Sequence, residues 1–278
     1  MRTGHNYSPD MIHDALGRVA GWVRGRFPRL AGWVLARLDR ADPLGLPLTL
    51  AVGAAVIAGW LFGGLTQDVL GHDDSVLADP RITSLVVARR VGWLTSSMEL
   101  LTWLGSTVVV VPAAILIGGS LFVRRRDWRP LAMLTAAVAG AIALYDMFKP
   151  AVGRARPPSS IWIGHYGGGA FPSGHATAAV AFYGMLALIL SRGARPGTKA
   201  VVWFGATFVA LIVGASRVYL GAHWLTDVIG GYALGTTWLA VLSAIALAWG
   251  SYLPSGRDEQ GKGEPRWAGR SPPRREAA

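Results

Sequence analysis

The chain has 278 residues, of which 52% are hydrophobic and only 15% are charged. This low charge content and a mean hydropathy of +0.37 exclude an ordinary water-soluble domain, in which about a quarter of the residues are charged. A net charge of +11 can indicate nucleic-acid binding, but arginine-rich cytoplasmic segments of a membrane protein produce the same excess, and we expect no nucleic-acid partner.

Residues 1–45 form a polar and basic arm at the N-terminus. Between residues 29 and 40, leucine and valine fall on one side of a helix and the arginines on another. This pattern predicts a helix lying on an anionic membrane surface, with a solvated cytoplasmic arm as the alternative. At the other end, residues 251–278 are rich in Pro, Gly, Arg and Glu, and we expect them to form a disordered cytoplasmic tail.

Residues 46–250 are predicted to form one membrane domain of six helices. Six apolar stretches approach the length of about 20 residues that a bilayer requires. They lie at residues 46–65, 106–123, 130–148, 176–191, 200–215 and 227–250. Residues 66–105 are interrupted by Arg81, Arg89 and Arg90, which predicts an external loop with an interfacial helix. The predicted fold class is therefore an all-α polytopic membrane protein.

The distribution of basic residues predicts the orientation of these spans. If both termini are cytoplasmic, the inner segments hold 20 of the 27 Lys and Arg residues. Because positive charge accumulates on the cytoplasmic side, both termini are expected inside, in a plasma membrane. The polar segments after the third and fifth spans then share the external face.

One polar segment, Ser216–Asp227, joins the fifth and sixth spans and combines an arginine, a histidine and a carboxylate. His223 and Asp227 are four residues apart, so on one helical turn they would share a face. An adjacent carboxylate holds one tautomer of the imidazole and favours its use as a nucleophile or base. Arg217 offers a fork of donors that suits phosphate oxygens. A structural ion pair at the membrane surface is the alternative interpretation.

Two further motifs favour a phosphate site. Lys149 is followed by six residues and then by Arg156-Pro157, and the segment Pro172–His175 reads Pro-Ser-Gly-His. Ser173 and Gly174 lie where the fourth span begins, and a helix N-terminus is an anion site. Asp146 and Ser216 are candidates for residues that support the site, and we expect Asp146 to pair with Lys149 or Arg154.

Together the three motifs resemble the signature of the type 2 phosphatidic acid phosphatase family, in the acid phosphatase and vanadium haloperoxidase superfamily. The resemblance covers roughly residues 46–250 and neither tail. It implies that His223 attacks phosphorus and forms a phosphohistidine, that Asp227 orients His223, and that His175 protonates the leaving alkoxide. It also implies phosphate binding by the remaining motif residues, namely Lys149, Arg156, Ser173, Gly174 and Arg217. One departure is Pro158, where many relatives carry a second arginine, so a preference for diphosphates is in doubt.

The predicted function is hydrolysis of a lipid phosphate such as phosphatidic acid, phosphatidylglycerol phosphate or a polyprenyl diphosphate. We expect no cofactor and no metal, because the carboxylates that a two-metal site requires are missing near the motifs. A lipid phosphotransferase and a lipid-phosphate binding or transport protein are alternatives from other classes. A haloperoxidase would share the anion pocket, but that family is soluble. The sequence does not indicate an oligomeric state.

Overall fold

A computed structural model describes residues 25–39, 42 and 44–252 of the chain, and these residues form helices without any strand. Ten α-helices can be numbered within this described part. They are α1 (Pro28–Leu38), α2 (Leu46–Gly71), α3 (Asp74–Leu77), α4 (Asp79–Val87), α5 (Gly92–Leu101), α6 (Thr107–Arg125), α7 (Arg129–Val152), α8 (Gly174–Ser191), α9 (Pro196–Tyr219) and α10 (Leu225–Tyr252). Short 3-10 helices at Thr102–Gly105 and Ser159–Ile161 complete the set.

Six of the described helices, α2 and α6 to α10, are long and apolar enough to cross a bilayer. Their outward faces carry large apolar side chains such as Trp60, Leu116 and Phe204, each more than two-thirds exposed. An exposed apolar surface of this kind suits a lipid environment. The prediction of an all-α polytopic membrane protein with six spans is confirmed.

Helix α8 forms the centre of the bundle. It buries 67% of its most apolar 18 residues, against 17% for α2 and for α6. Small side chains along α8 let the neighbouring helices approach closely, and Phe182 and Met185 pack in a core with residues of α6, α7 and α10. The residues at the start of α8 are therefore held on all sides by other helices.

The Gly-xxx-Gly pair of α10 packs against α8. A Cβ added at Gly231 would lie 2.7 Å from the Ser173 carbonyl oxygen, and one at Gly235 would lie 2.8 Å from the Thr177 carbonyl oxygen. Glycine at both positions allows this close approach of two helix backbones. These two glycines therefore serve the packing of two helices within the same chain.

Several helices extend beyond their predicted bounds. Helix α2 ends at Gly71 rather than residue 65, and α7 continues through Pro150 to Val152, where Gly153 closes it with a positive φ of 64°. Helix α9 continues to Tyr219, and α10 begins at Leu225. The connection between these last two helices is therefore only residues 220–224. The predicted helices were too short because apolar composition marks only the membrane core and not the polar turns that continue a helix.

Residues 66–105 contain more helix than the predicted loop with one interfacial helix. Beyond the end of α2 they hold α3, α4, α5 and a 3-10 helix, none of which is among the candidate spans. Residues Thr49–Ala244 form one compact unit, and it contains every side chain of the site described below. Helix α1 lies in the predicted basic arm. Residues 253–278 of the predicted disordered tail and the first 24 residues of the arm lie outside the described part of the chain.

Candidate active site

The three sequence motifs meet where helix ends converge at one end of the bundle. Lys149 lies in the last turn of α7, and Ser173 is the residue that precedes α8. Arg217 lies in the last turn of α9, and Asp227 lies in the first turn of α10. The connection between α9 and α10 carries His223. The proximity that the motifs predict is thus present in the fold.

His223 is buried beside Asp227. The His223 Nδ1 atom lies 3.4 Å from Asp227 Oδ2, which also accepts the Trp224 backbone N–H at 2.9 Å. That second bond is a helix cap, since an acidic residue in the first turn reaches back to the N–H preceding the helix. The expectation that His223 and Asp227 share a helical turn is wrong, because His223 precedes α10. The cap brings the two side chains together instead.

The hydrogen bonds around His223 select one tautomer. Arg156 Nη1 lies 3.2 Å from His223 Nε2, and a guanidinium only donates hydrogen bonds. Nε2 must therefore accept with its lone pair, which leaves the proton on Nδ1, facing Asp227. This is the tautomer that a nucleophilic Nε2 requires.

Burial and positive charge keep His223 neutral. The side chain is only 2% exposed. Burial lowers the pKa of His223 well below its ordinary value, and the charges of Arg156, Arg217 and Lys149 lower this pKa further. A buried imidazole surrounded by cations resists protonation, so Nε2 stays unprotonated in mildly acidic conditions.

Arg156 is held by backbone carbonyl groups and by an aromatic ring. Its guanidinium donates to the carbonyl oxygens of Gly167, Gly168, Gly169 and Ala222, at 2.6 to 3.3 Å. The Tyr166 ring lies 5.9 Å from the guanidinium of Arg156 and 4.9 Å from that of Arg217. The glycine-rich loop therefore orients two of the arginines of the motifs.

Two buried polar atoms of the motif residues have no hydrogen-bond partner within the described part of the chain. They are Ser173 Oγ and Arg217 Nε. Arg217 is 5% exposed, and its Nη1 donates to Thr102 Oγ1 at 2.8 Å. Leaving such groups unpaired costs about 1–3 kcal/mol each. An anion with several acceptor oxygens would satisfy the arginine and the hydroxyl together.

His175 and Lys149 complete the cationic surroundings. His175 lies in the first turn of α8 and is less buried than His223. Arg217, His223, Lys149 and Arg156 all lie close enough to act on the charge of His175. The Lys149 Nζ atom lies 5.0 Å from the centre of the Tyr145 ring. Two histidines and three cations thus surround one small volume.

Local packing explains the glycine at position 174, and a local hydrogen bond explains the serine at position 216. A Cβ at Gly174 would lie 3.2 Å from the Tyr145 ring, which packs directly on the start of α8. Ser216 Oγ is buried and donates to the Val213 carbonyl oxygen at 2.5 Å. Ser216 therefore bonds within α9, whereas Gly174 permits close packing at the helix N-terminus, where free N–H groups remain.

The expectation that Asp146 pairs with Lys149 or Arg154 is wrong. Asp146 is exposed, and no ion pair of this residue occurs among the described residues. Arg154 instead forms ion pairs with Asp79 at 2.7 Å and with Asp227 at 2.5 Å. Those two carboxylates are buried, and a buried guanidinium is held by the carboxylates that are buried with it.

Sequence reasoning did not assign a role at the site to Asp79, Arg90 or Thr226. Arg90 donates to the carbonyl oxygens of Tyr219 and Ile161 at 2.6 to 2.9 Å, which ties the segment after α4 to two of the motif loops. Asp79 and Thr226 bind each other and Arg154. Their partners lie 71 to 147 positions away along the chain, so no local spacing marks them.

Within the part of the chain that the structure describes, no three His, Cys, Asp or Glu side chains are grouped as a metal site would require. The functional groups that this end of the bundle does present are two histidines, a buried carboxylate beside one of them, and several cations. That set suits nucleophilic attack on an anionic centre with a second group for proton transfer.

Comparison with known proteins identifies relatives of this chain. The family model described as the PAP2 superfamily matches residues 130–250. Phosphatidylglycerophosphatase B of Bacillus subtilis (strain 168) is 34% identical over 160 residues, which are 57% of this chain and 78% of that protein. Lipid A 1-phosphatase of Rhizobium johnstonii is 34% identical over 123 residues, which are 41% of this chain and 46% of that protein.

A solved structure is also similar. The crystal structure of a transmembrane PAP2-type phosphatidylglycerolphosphate phosphatase from Bacillus subtilis matches with a TM-score of 0.66 at 30% sequence identity. The match covers 73% of this chain and 98% of that one. The resemblance inferred from the three motifs is confirmed by these matches.

Proposed function

The chain belongs to the PAP2 superfamily, and from this premise we propose that it hydrolyses the phosphate of a membrane lipid through a phosphohistidine on His223. The observation that carries the proposal is the protonation state of His223 together with its neighbouring groups. Its Nε2 lone pair lies beside Arg156, its Nδ1 faces Asp227, and the surrounding cations include Arg217, with an unpaired donor. A neutral nucleophile beside donors that have no partner within the described residues suits attack on a phosphate.

The phosphate group binds between the ends of α7, α8 and α9. Arg217 Nε and Ser173 Oγ, both unpaired within the described residues, donate to its oxygens. The backbone N–H groups at Gly174 add the positive end of the α8 dipole. Lys149 and Arg156 supply further positive charge, which stabilises the oxygens as charge builds up in the transition state.

The reaction proceeds in two steps. In the first, His223 Nε2 attacks phosphorus, the bond between phosphorus and the lipid oxygen breaks, and His175 gives a proton to the leaving alkoxide. In the second, His175 takes a proton from water, the water oxygen attacks phosphorus, and the bond between phosphorus and nitrogen breaks. Asp227 keeps the Nδ1 proton in place and stabilises the positive imidazole ring of the intermediate.

The membrane setting supports a lipid substrate. A site at the ends of the spanning helices receives a phosphate headgroup while the apolar chains remain in the bilayer. The substrate class is therefore a lipid with a terminal phosphate or diphosphate, such as phosphatidic acid, phosphatidylglycerol phosphate or a polyprenyl diphosphate. The enzyme resides in the plasma membrane with both termini in the cytoplasm and its site on the external face, and it uses no cofactor and no metal ion.

The test is phosphate release by the detergent-purified protein, measured with a chelator present. The panel contains phosphatidic acid, phosphatidylglycerol phosphate, polyprenyl diphosphate and a soluble phosphomonoester. We expect release from at least one lipid, and the ranking identifies the preferred headgroup. The matched control is His223→Ala. Release that persists in this variant would refute the nucleophile, and transfer of phosphate to a lipid or sugar instead of water would indicate a phosphotransferase.

A loss of release on chelation, restored by added metal, would refute the metal-independent mechanism. If no lipid in the panel releases phosphate while inorganic phosphate or intact lipid still binds, the protein is a lipid-phosphate binding protein. The first outcome would replace the proposed mechanism, and the second would replace the proposed function.

A further inference from the structure

We propose that Asp79 is a positioning residue for the reaction, acting through Arg154 to hold Asp227 and to preserve its negative charge for His223. The inference rests on the proposed function, since it concerns the support of the same nucleophile. Asp79 lies at the start of α4, in a segment that none of the three motifs includes, and within the described part of the chain its hydrogen bonds go to Arg154 and Thr226 rather than to His223.

The two oxygens of Asp227 have separate tasks. Oδ2 lies 3.4 Å from His223 Nδ1 and accepts the Trp224 N–H. Oδ1 accepts Arg154 Nη1 at 2.5 Å. Arg154 therefore holds Oδ1, while the Trp224 N–H keeps Oδ2 directed at the histidine.

Arg154 is fixed in turn by Asp79 and Thr226. Its Nη2 donates to Asp79 Oδ2 at 2.7 Å, and its Nη1 donates to Thr226 Oγ1 at 2.6 Å. Thr226 closes the network, because its backbone N–H donates to Asp79 Oδ1 at 3.1 Å and its hydroxyl donates to Asp79 Oδ2. Asp79 is 1% exposed and Asp227 is 0% exposed, so water does not replace any of these partners.

The charges explain why a second carboxylate is present. Attack by His223 Nε2 places positive charge on the imidazole ring. Asp227 stabilises this positive charge only if the negative charge of Asp227 is not already neutralised by another cation. A single Arg154 would neutralise Asp227. With Asp79 sharing the guanidinium, two carboxylates and one arginine leave a net charge of −1 beside His223. This matters because Arg156, Arg217 and Lys149 all act on the same ring.

The test compares the isosteric substitution Asp79→Asn with Asp73→Asn, which changes an exposed carboxylate in the same segment. For Asp79→Asn we expect kcat to fall about 10- to 100-fold with KM within about twofold, because the stabilisation is lost in the transition state and not in substrate binding. Asp73→Asn should behave as the wild type. Equal kcat values for Asp79→Asn and the wild type would overturn the inference.

A second variant separates charge from simple structural support. Asp79→Asn combined with Arg154→Gln removes the guanidinium that would otherwise neutralise Asp227, so the net charge beside His223 returns to −1. We expect kcat of this double variant to exceed that of Asp79→Asn alone. If the network only holds the fold together, removing a second member lowers kcat further, and that result would overturn the charge argument.

A binding measurement makes the inference independent of turnover. Vanadate bonded to His223 Nε2 places positive charge on the same ring, whereas inorganic phosphate binds without such a bond. Calorimetry on Asp79→Asn should show vanadate affinity reduced about tenfold or more and phosphate affinity unchanged, by the same charge argument. An equal loss for both anions would overturn the inference.

The failure of the proposed function would look different. If the wild type shows no phosphate release that depends on His223, the proposed function itself fails, whereas failure of the inference leaves that release intact.

Discussion

The protonation of His223 makes stability depend on pH. Because burial and nearby cations lower the pKa of His223, the folded protein does not bind this proton at pH values where the unfolded chain does, below about 6.5. The unfolded state therefore gains protons first as the pH falls, and folding free energy is lost at a rate approaching about 1.4 kcal/mol per pH unit. Above pH 6.5 this contribution is fully present.

We expect the melting temperature of the detergent-purified protein to fall between pH 7.5 and pH 5.0, and to fall by more in the wild type than in His223→Asn. Asparagine does not titrate, so this variant has no titrating group at position 223. The matched control is His165→Asn, at an exposed loop position, which should keep the full pH dependence. An identical pH dependence in the wild type and in His223→Asn would contradict the assignment of a neutral, buried His223.

At the residue scale the sequence predicted which motif residues lie close together, but not the residues that hold them in place. The three motifs bring His175, His223 and Asp227 to one end of the bundle, and their identities and short spacings are visible in the chain, whereas their catalytic roles stay a prediction. The partner of Asp146 was predicted wrongly, since Arg154 pairs instead with Asp227 and with Asp79, which lies in a segment without motif features. Long-range partners of this kind depend on how helices pack, which residue patterns do not report.

Helix α10 approaches α8 so closely that an extra methyl group cannot be accommodated without displacement. A Cβ at Gly231 would lie 2.7 Å from the Ser173 carbonyl oxygen and 2.9 Å from the Ala176 Cβ. We expect Gly231→Ala to destabilise the protein by about 1–3 kcal/mol through overpacking, measured as a lower melting temperature in detergent. Activity should also fall, because Ser173 directly precedes α8, at the helix end that we propose binds the phosphate.

The matched control for this prediction is Gly63→Ala on α2. A Cβ there would meet nothing within 4 Å among the described residues. Alanine favours a helix over glycine by about 1 kcal/mol, so this variant should be neutral or slightly more stable. Equal melting temperatures for Gly231→Ala and the wild type would contradict the close α8–α10 contact.

At the element scale the number and approximate positions of the apolar helices were predictable, whereas their ends were not. Hydropathy marks where a helix crosses the bilayer, but α7, α9 and α10 extend past that region into the site. Lys149, Arg217 and Asp227 consequently lie on helices rather than in loops. Their fixed backbone geometry is what lets side chains from separate helices converge on one point.

The orientation of the whole molecule stays a prediction from its charge distribution. The natural chain contains no cysteine, so single cysteines can be introduced and labelled without background. Ser159→Cys lies at an exposed position between α7 and α8, and Thr198→Cys lies at an exposed position in the first turn of α9. Neither substitution changes the distribution of charge.

We expect a membrane-impermeant maleimide to label Ser159→Cys on intact cells and to label Thr198→Cys only after permeabilisation. The positive-inside bias of the arginine-rich segments determines this result. Labelling of Thr198→Cys alone on intact cells would show the reverse orientation and place the site on the cytoplasmic face.

The central claim is that His223 carries the phosphoryl group, and trapping that intermediate tests it most directly. The protein would be mixed with a lipid labelled in its terminal phosphate, quenched rapidly in alkaline detergent, and mapped by peptide analysis. We predict an alkali-stable, acid-labile label on the peptide that contains His223, and no label in His223→Ala. A label on another residue, or phosphate release at the wild-type rate by His223→Ala, would contradict the account.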